Sequence, residues 1–287
     1  MKPKLKTPFN VTFIGTGGVM PHRKRLFPFM IVNLKQKILF LDFGEGSQRA
    51  MLKLKSSLII PDFIFISHYH LDHFHGLLPY LKTLEMMGIT KKIKIFLPEV
   101  QERELFENQL LKLVLNIELK IGNDSYQEEG VSFLFFKTKH TRDSRGVLIK
   151  IAERRTYLPE IIRKLKGPAL RQLKDKKKIV IDNFEYNYET SSEVLEKEHS
   201  LVYTSDTSPL SLPISEYIIH ECTYLEGEEK TALKKRHSCL TDILLKLKDY
   251  KKIFLVHLHP KYNIYPSLPV SWKWPLPYEF ADLNEDT

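Results

Sequence analysis

Residues Phe63 to Leu77 read FIFISHYHLDHFHGL, an apolar run that passes into four histidines and one aspartate within eight positions. His68 and His70 alternate along an extended strand end, so both side chains can face one point as the chain turns. Asp72 and His73 follow where a helix opens, and an anionic side chain suits the positive end of a helix dipole. Imidazole and carboxylate donors suit Zn²⁺, with Mn²⁺ or Fe as competitors. A single buried histidine is ordinarily a core residue with a satisfied hydrogen bond. A His-x-His-x-Asp-His run directly after an apolar strand is instead the pattern of a metal site. His75, further into the helix, reads as a packing or supporting residue rather than a ligand.

Other strand ends carry the same residue types. SFLFFKTK runs to His140, LVYTS to Asp206, IFLV to His257 and ILFL to Asp42. In α/β sheets, ligands gather beyond the carboxyl ends of strands, so several such ends converging make a site. His68, His70, Asp72, His73, His140, Asp206 and His257 are seven candidate ligands. One ion takes three or four ligands, so the set suffices for two ions if one carboxylate is shared. Two ions about 4 Å apart go with in-line displacement at phosphorus.

The elements that must position these residues are short β-branched and aromatic runs: VTFIG, FMIVNL, KILFLDFG, FIFISH, IKIFLP, VSFLFF, GVLIKI, LVYTSD, EYIIHEC and KIFLVHLH. They read as strands, several buried on both faces. Helical spacing lies between them in GSQRAMLKLK, in DHFHGLLPYLKTLEMMG with Gly88 as C-cap, in EVQERELFENQLLKLVLN and in LTDILLKLKDY. Many strands with interspersed helices predict an α/β chain with two sheets. From about Glu153 to Ser192 the sequence turns lysine-rich around Gly167-Pro168. This stretch reads as an insertion: a short helix, a Gly-Pro turn and a small hairpin.

A chain of 287 residues suits one large domain carrying an insertion, and its 43% hydrophobic content supplies a sizeable core. Lys and Arg outnumber Asp and Glu by 44 to 35, a net charge of +9. That balance favours polyanionic partners without specifying one. Two cysteines, Cys222 and Cys239, exclude a disulfide framework and a CxxC zinc pair, and fit a reducing compartment. The basic N-terminus lacks the apolar stretch of a secretory signal, and no run approaches the roughly 20 residues that span a bilayer. A cytoplasmic protein with no membrane partner is expected.

The motif SHYHLDH is similar to the HxHxDH signature of the metallo-β-lactamase superfamily. That resemblance implies an αββα four-layer sandwich over residues 1–287, with 153–192 as a small inserted arm. Within the superfamily the chain resembles the ribonuclease Z family over nearly its whole length. FIGTGGVMPHRKR is similar to the family's opening loop, LDFGEGSQRAML to its DxGEGTQxQ-like segment and IIHECTYLE to its HEAT motif. KHTRDSRGVLI, YTSDTSP, RHSCLTDI and LVHLHPKY match the segments around the remaining ligands and the His-Ser-Thr motif. Departures are Leu26 for Asn, Cys239 for Thr, and His259, Pro260 and Lys261 for a Ser-rich stretch and an Arg. They leave the metal core untouched and bear on how the cleavage position is set.

The resemblance implies two zinc ions. One would take His68, His70 and His140, the other Asp72, His73 and His257, with Asp206 bridging. It implies hydrolysis of precursor tRNA that leaves a tRNA 3′-hydroxyl. Asp72 would handle the attacking water, His237 the transition state or leaving oxygen, and Glu221 the tautomer of His237. The insertion falls where the family carries a tRNA-binding arm. Its phosphate contacts would come from Lys164, Lys166, Arg171, Lys174, Lys176, Lys177 and Lys178 around Gly167 and Pro168. A homodimer would present one subunit's arm to the other's cleft. The rival reading is another phosphodiesterase of the same fold, acting on cyclic nucleotides or small diesters.

Overall fold

Period-two alternation sorts the strand side chains onto different faces, and the faces build the layers. The computed structural model describes residues 9–54, 57–99, 104–247, 250, 252–263, 265–269, 271–275 and 279–282. In chain order the elements are β1 (Phe9–Gly15), β2 (Phe29–Leu34), β3 (Lys37–Leu41), α1 (Ser47–Leu54), β4 (Phe63–Phe65), α2 (Leu71–Phe74), α3 (Leu77–Met86), β5 (Ile93–Leu97), α4 (Glu104–Leu111), β6 (Ile117–Ile121), β7 (Ser125–Glu128), β8 (Val131–Lys137) and β9 (Arg145–Ile151). Next come β10 (Arg154–Tyr157), α5 (Pro159–Lys164), α6 (Gly167–Lys176), β11 (Lys178–Ile181), β12 (Phe184–Asn187), β13 (Ser192–Glu196), β14 (His199–Tyr203), β15 (Tyr217–Glu221), α7 (Glu229–Lys235), α8 (Leu240–Lys246), β16 (Lys252–Val256), β17 (Trp272–Lys273) and β18 (Glu279–Asp282). None of the described helices is long and apolar enough to cross a membrane.

The chain divides into two compact units, Met1–Ile149 with Ser200–Thr287, and Lys150–His199. The larger unit holds two seven-stranded sheets, ordered β18-β1-β2-β3-β4-β5-β6 and β17-β16-β15-β14-β9-β8-β7. One face of the first sheet (Phe40, Ile64, Ile66, Ile93, Ile95) packs on Ala50 and Met51 of α1 and on Leu77, Tyr80, Leu81 and Leu84 of α3. In the second sheet, Leu148, Val202, Ile218, Ile253 and Leu255 pack on Leu240 and Ile243 of α8. The opposite faces meet each other through rings. Phe13 lies 5.3 Å from Phe254, Phe63 5.1 Å from Phe133, and Phe65 5.5 Å from Phe135. The result is helix, sheet, sheet, helix, with each aromatic pair worth roughly 0.5–1.5 kcal/mol beyond its burial. β3, β4, β5 and β6 run parallel, as do β14, β15, β16 and β17. Parallel strands present their carboxyl ends at one edge of the sheet, where the candidate residues lie.

Several expectations about the elements change. The helix anticipated over Asp72–Gly88 is two helices, α2 and α3, broken at His75 and Gly76. Gly76 N–H donates to Phe43 O at 3.0 Å. A Cβ at Gly76 would overlap the carbonyl of Gly44, so the loop after β3 lies against the break. Gly88 does close α3, at φ +68°. The helix expected from Glu99 begins in the described residues at Glu104 and gives way by Ile117 to strand β6; residues 100–103 lie outside the described residues.

The smaller unit reaches slightly beyond the lysine-rich stretch because its flanks pair as β10 and β13. Gly167-Pro168 is not a turn of its own but the first turn of α6, where proline's fixed φ and missing N–H fit. Leu173 is the fully buried anchor of α6. Asp182 and Asn183, at φ 50° and 62°, make the tight hairpin between β11 and β12.

Substituting Gly76 by Ala drives a methyl into the Gly44 carbonyl. The expected cost is about 1–3 kcal/mol, seen as a lower urea midpoint with an unchanged m-value. An unchanged midpoint would show that the break does not need close approach.

Candidate metal centre

Each candidate ligand comes just past a strand, in a loop or, for Asp72 and His73, in the short helix α2. β3 ends directly on Asp42, and β16 directly on His257. Past β4 the chain carries His68 and His70 and then α2 with Asp72 and His73. Past β8 comes His140, and past β14 comes Asp206. Asp42, Ser205 and His257 have φ of 53°, 54° and 63°. Non-glycine residues in the left-handed region are strained, and such strain gathers where a side chain must be aimed. His257 N–H donates to Thr16 O at 2.8 Å, and its ring rests on Gly18, where any Cβ would overlap it.

Two groups of donor atoms hold the candidate ligands, His68, His70, His140 and Asp206, and Asp72, His73 and His257; a third, Asp206, His237 and His257, overlaps them. In the first, His140 Nε2 is 3.1 Å from His70 Nδ1 and 3.7 Å from Asp206 Oδ2, and His68 Nε2 is 3.8 Å from the same oxygen. In the second, His257 Nε2 is 3.2 Å from His73 Nε2 and 3.4 Å from Asp72 Oδ2. Asp206 reaches both: its Oδ1 is 3.3 Å from His257 Nε2 and its Oδ2 3.4 Å from His73 Nε2. His75 lies outside both groups, exposed at the break after α2.

The donor set fits metal. Bonds of about 2.1 Å in a tetrahedron place donor atoms about 3.4 Å apart, the spacing found here. His68 Nε2 and Asp206 Oδ1 are buried without a hydrogen bond of good geometry, although Oδ1 lies near His257. Buried polar atoms are as a rule partnered, so two such atoms within one cluster of donors fit a bound metal ion.

The other ring nitrogens are occupied in ways that turn the free ones inward. His73 Nδ1 bonds Asp42 Oδ2 at 2.7 Å, His140 Nδ1 bonds Arg236 O at 2.9 Å, and His257 Nδ1 bonds Thr223 Oγ1 at 2.9 Å. Burial holds the pKa of His68 and His140 down, and the partly desolvated ring of the surface-exposed His70 shifts the same way, which keeps them neutral as ligands must be. Burial works against charge on Asp206 and Asp72, but the surrounding histidines outweigh it and hold both below the usual carboxylate range.

His237 and Glu221 come together at the same edge. His237 Nδ1 lies 3.0 Å from Glu221 Oε1 and 3.9 Å from Asp206 Oδ2. Glu221 is fully buried and also accepts the N–H groups of Thr207, Ser238 and Thr223. Burial disfavours charge on His237, yet the Glu221 carboxylate prevails and pushes its pKa up to about 9. In the smaller unit, Lys164, Lys166, Gly167, Pro168, Arg171, Lys174, Lys176, Lys177 and Lys178 are all exposed. Lys177 lies 4.5 Å over the Tyr188 ring and Lys178 pairs with Glu185 at 2.9 Å, so those two cations are already engaged.

Sequence reasoning noticed Asp42 as a strand end but gave it no function, and it passed over Ser67, Tyr203, Thr223 and Arg236. Asp42 accepts from Ser67 N–H, Ser67 Oγ, Tyr203 Oη and His73 Nδ1. The only local signal was an acid directly after a buried strand; the serines, threonine and tyrosine carry none.

Residues 9–267 match the family described as Anti-Pycsar protein Apyc1. The chain is 30% identical to a protein named Ribonuclease Z from Sulfurisphaera tokodaii over 266 residues, 88% of each chain. It is 29% identical to one from Thermococcus onnurineus over 233 residues, 77% of this chain and 75% of that one. Among solved structures, human tRNase Z, short form, aligns with a TM-score of 0.67 at 16% identity, covering 96% of this chain and 100% of that one. A metallo-β-lactamase fold protein from Bacillus subtilis aligns at 0.59 and 16% identity, covering 88% and 87%. These structures share the metallo-β-lactamase fold with this chain.

Replacing Asp42 by Asn keeps its shape but removes acceptor capacity where three residues donate. Zinc affinity, measured by chelator competition, should fall about 10–100-fold. Unchanged affinity would show that Asp42 serves folding alone.

Proposed function

The chain belongs to the family described as Anti-Pycsar protein Apyc1 and to that of the ribonuclease Z proteins, and on that footing we propose that it is a metal-dependent endoribonuclease that removes 3′ trailers from precursor tRNA. The observation that carries the reading is the convergence of seven metal-competent side chains beside the His237–Glu221 pair. His68, His70 and His140 would hold one zinc ion and Asp72, His73 and His257 the other, with Asp206 between them. Such ions, when bound, supply a nucleophile from water at neutral pH and positive charge for the phosphoryl oxygens.

The chain's own groups handle the protons. Asp72 is fixed by Val19 N–H, which donates to its Oδ2 at 2.9 Å. The described contacts of Asp72 fall on Oδ2, which leaves Oδ1 to orient the attacking water and take its proton. As the water oxygen bonds to phosphorus, the bond to the tRNA 3′-oxygen breaks. His237, charged at neutral pH through Glu221, gives its proton to that oxygen. The tRNA keeps a 3′-hydroxyl and the trailer a 5′-phosphate.

An A-form acceptor stem is recognised through its phosphates and 2′-hydroxyls. The exposed cations Lys164, Lys166, Arg171, Lys174 and Lys176, carried by α5, α6 and the link between them, suit such contacts. We place the enzyme in the cytoplasm, with its two cysteines buried and free, as a homodimer in which one subunit's arm serves the other's cleft. A phosphodiesterase of cyclic nucleotides or small diesters is the second reading. It is kept because His259, Pro260 and Lys261 depart from the ribonuclease Z pattern.

Zinc-replete protein given a 3′-extended precursor tRNA, a cyclic nucleotide and bis(p-nitrophenyl) phosphate side by side should cut the RNA endonucleolytically at the discriminator base. Intact RNA with rapid hydrolysis of the cyclic nucleotide would establish the second reading. Asp72→Ala should lower turnover roughly 10²–10⁴-fold while precursor tRNA still binds; near-normal turnover would remove Asp72 from its assigned role. Lys166→Glu, Arg171→Glu and Lys174→Glu together should raise KM for precursor tRNA at least about tenfold more than for the small diester, with a shallower salt dependence. Equal losses on both substrates would make the segment structural.

A further inference from the structure

Both groups of ligands meet at Asp206, but their supports differ. On the Asp72–His73–His257 side, each histidine leads to a buried carboxylate. His73 Nδ1 bonds Asp42 directly at 2.7 Å. His257 Nδ1 bonds Thr223 Oγ1 at 2.9 Å, and Thr223 Oγ1 donates to Glu221 Oε2 at 2.8 Å. An ionised carboxylate only accepts, so the single hydroxyl proton of Thr223 goes to Glu221, and its two lone pairs are left for His257 Nδ1–H and for His237 Nδ1, 3.2 Å away. That relay fixes the tautomer of His257 with Nε2 bare toward the cluster. Thr223 has no freedom to do otherwise. It is fully buried, its N–H donates to Glu221 Oε2 at 2.9 Å, and its carbonyl accepts His259 N–H at 3.1 Å.

The His68–His70–His140 side has weaker backing. His140 donates to a neutral backbone carbonyl, that of Arg236. His68 reaches a carboxylate only through Ser67, whose Oγ is 3.0 Å from His68 Nδ1 and is shared with Ser205. His70 is exposed. The first-named side also contains an anionic ligand of its own in Asp72. Hydrogen bonds to carboxylates orient imidazole ligands and raise their basicity, and losing such a partner costs about 10–100-fold in metal affinity.

We infer that Thr223 is a positioning residue for His257, and that through it the Asp72–His73–His257 position takes its ion first and holds it more tightly than the His68–His70–His140 position. This rests on the two-ion reading of the site. The test is titration of Zn²⁺ into the metal-stripped full chain against a competing chelator, for the wild type, Thr223→Val, Thr223→Ser and His70→Ala. The wild type should bind two ions with two distinct affinities. Thr223→Val should weaken the tighter one about 10–100-fold, and Thr223→Ser should restore it. His70→Ala, at an exposed side chain, should remove the weaker one and leave the tighter. Two equal affinities, loss of the tighter one in His70→Ala, or no change in Thr223→Val would overturn the inference. If Thr223→Val fails to fold, the His70→Ala titration decides alone. A wild-type stoichiometry of one ion would instead count against the two-ion reading itself.

Discussion

The buried carboxylate of Asp42 is the constraint on which the site depends. It has no solvent exposure, and it accepts from Ser67 N–H, Ser67 Oγ, His73 Nδ1 and, at 2.5 Å, from Tyr203 Oη. Asp42 ends β3 in the first sheet, while Tyr203 ends β14 in the second. One side chain therefore joins the sheets where they must open to hold ligands, and it orients a ligand at the same time. Such a charge is tolerable in the interior only because its oxygens are filled with donors. Loss of any donor would leave part of that desolvation cost uncompensated.

Glu221 does at the far side what Asp42 does at the near side. It ends β15, is equally buried, and gathers His237 and Thr223. The two carboxylates differ in what they aim. Asp42 backs His73, a proposed metal ligand, directly, whereas Glu221 backs His237 directly and His257, the other proposed ligand, through the Thr223 hydroxyl. Between them lie Asp206 and Asp72, which the surrounding histidines hold charged, with Val19 N–H also donating to Asp72. The centre is thus an alternation of anions and imidazoles. Its rigidity comes from the aromatic seam between the sheets and from left-handed turns at Asp42, Ser205 and His257.

Much of this was legible in the residues. The His-x-His-x-Asp-His run announced itself because metal-competent side chains are dense there and the spacing suits a strand turning into a helix. His140, Asp206 and His257 were legible because each comes after an apolar strand. The break at Gly76 was not, because helical spacing continues across it and the reason for it is the carbonyl of Gly44, distant in sequence. The Gly-Pro pair was legible as a boundary, but whether it turns the chain or starts a helix depends on the packing of the residues beyond Pro168. Those residues form a helix that buries Leu173.

By itself the sequence determined the inventory: which side chains can hold metal, which strands carry them, and that a lysine-rich segment interrupts the pattern. These are properties of residue type and near-neighbour spacing, which a linear chain of letters preserves. Only the tertiary structure decided the division of labour. It settled that Asp206 reaches both ligand groups, that His75 is left out, that Thr223 stands between His257 and Glu221, and that Asp42 supports the whole. Those assignments depend on contacts between sheet edges far apart in sequence. A hydroxyl or carboxylate acquires such a part only when the fold brings a particular nitrogen within hydrogen-bond distance.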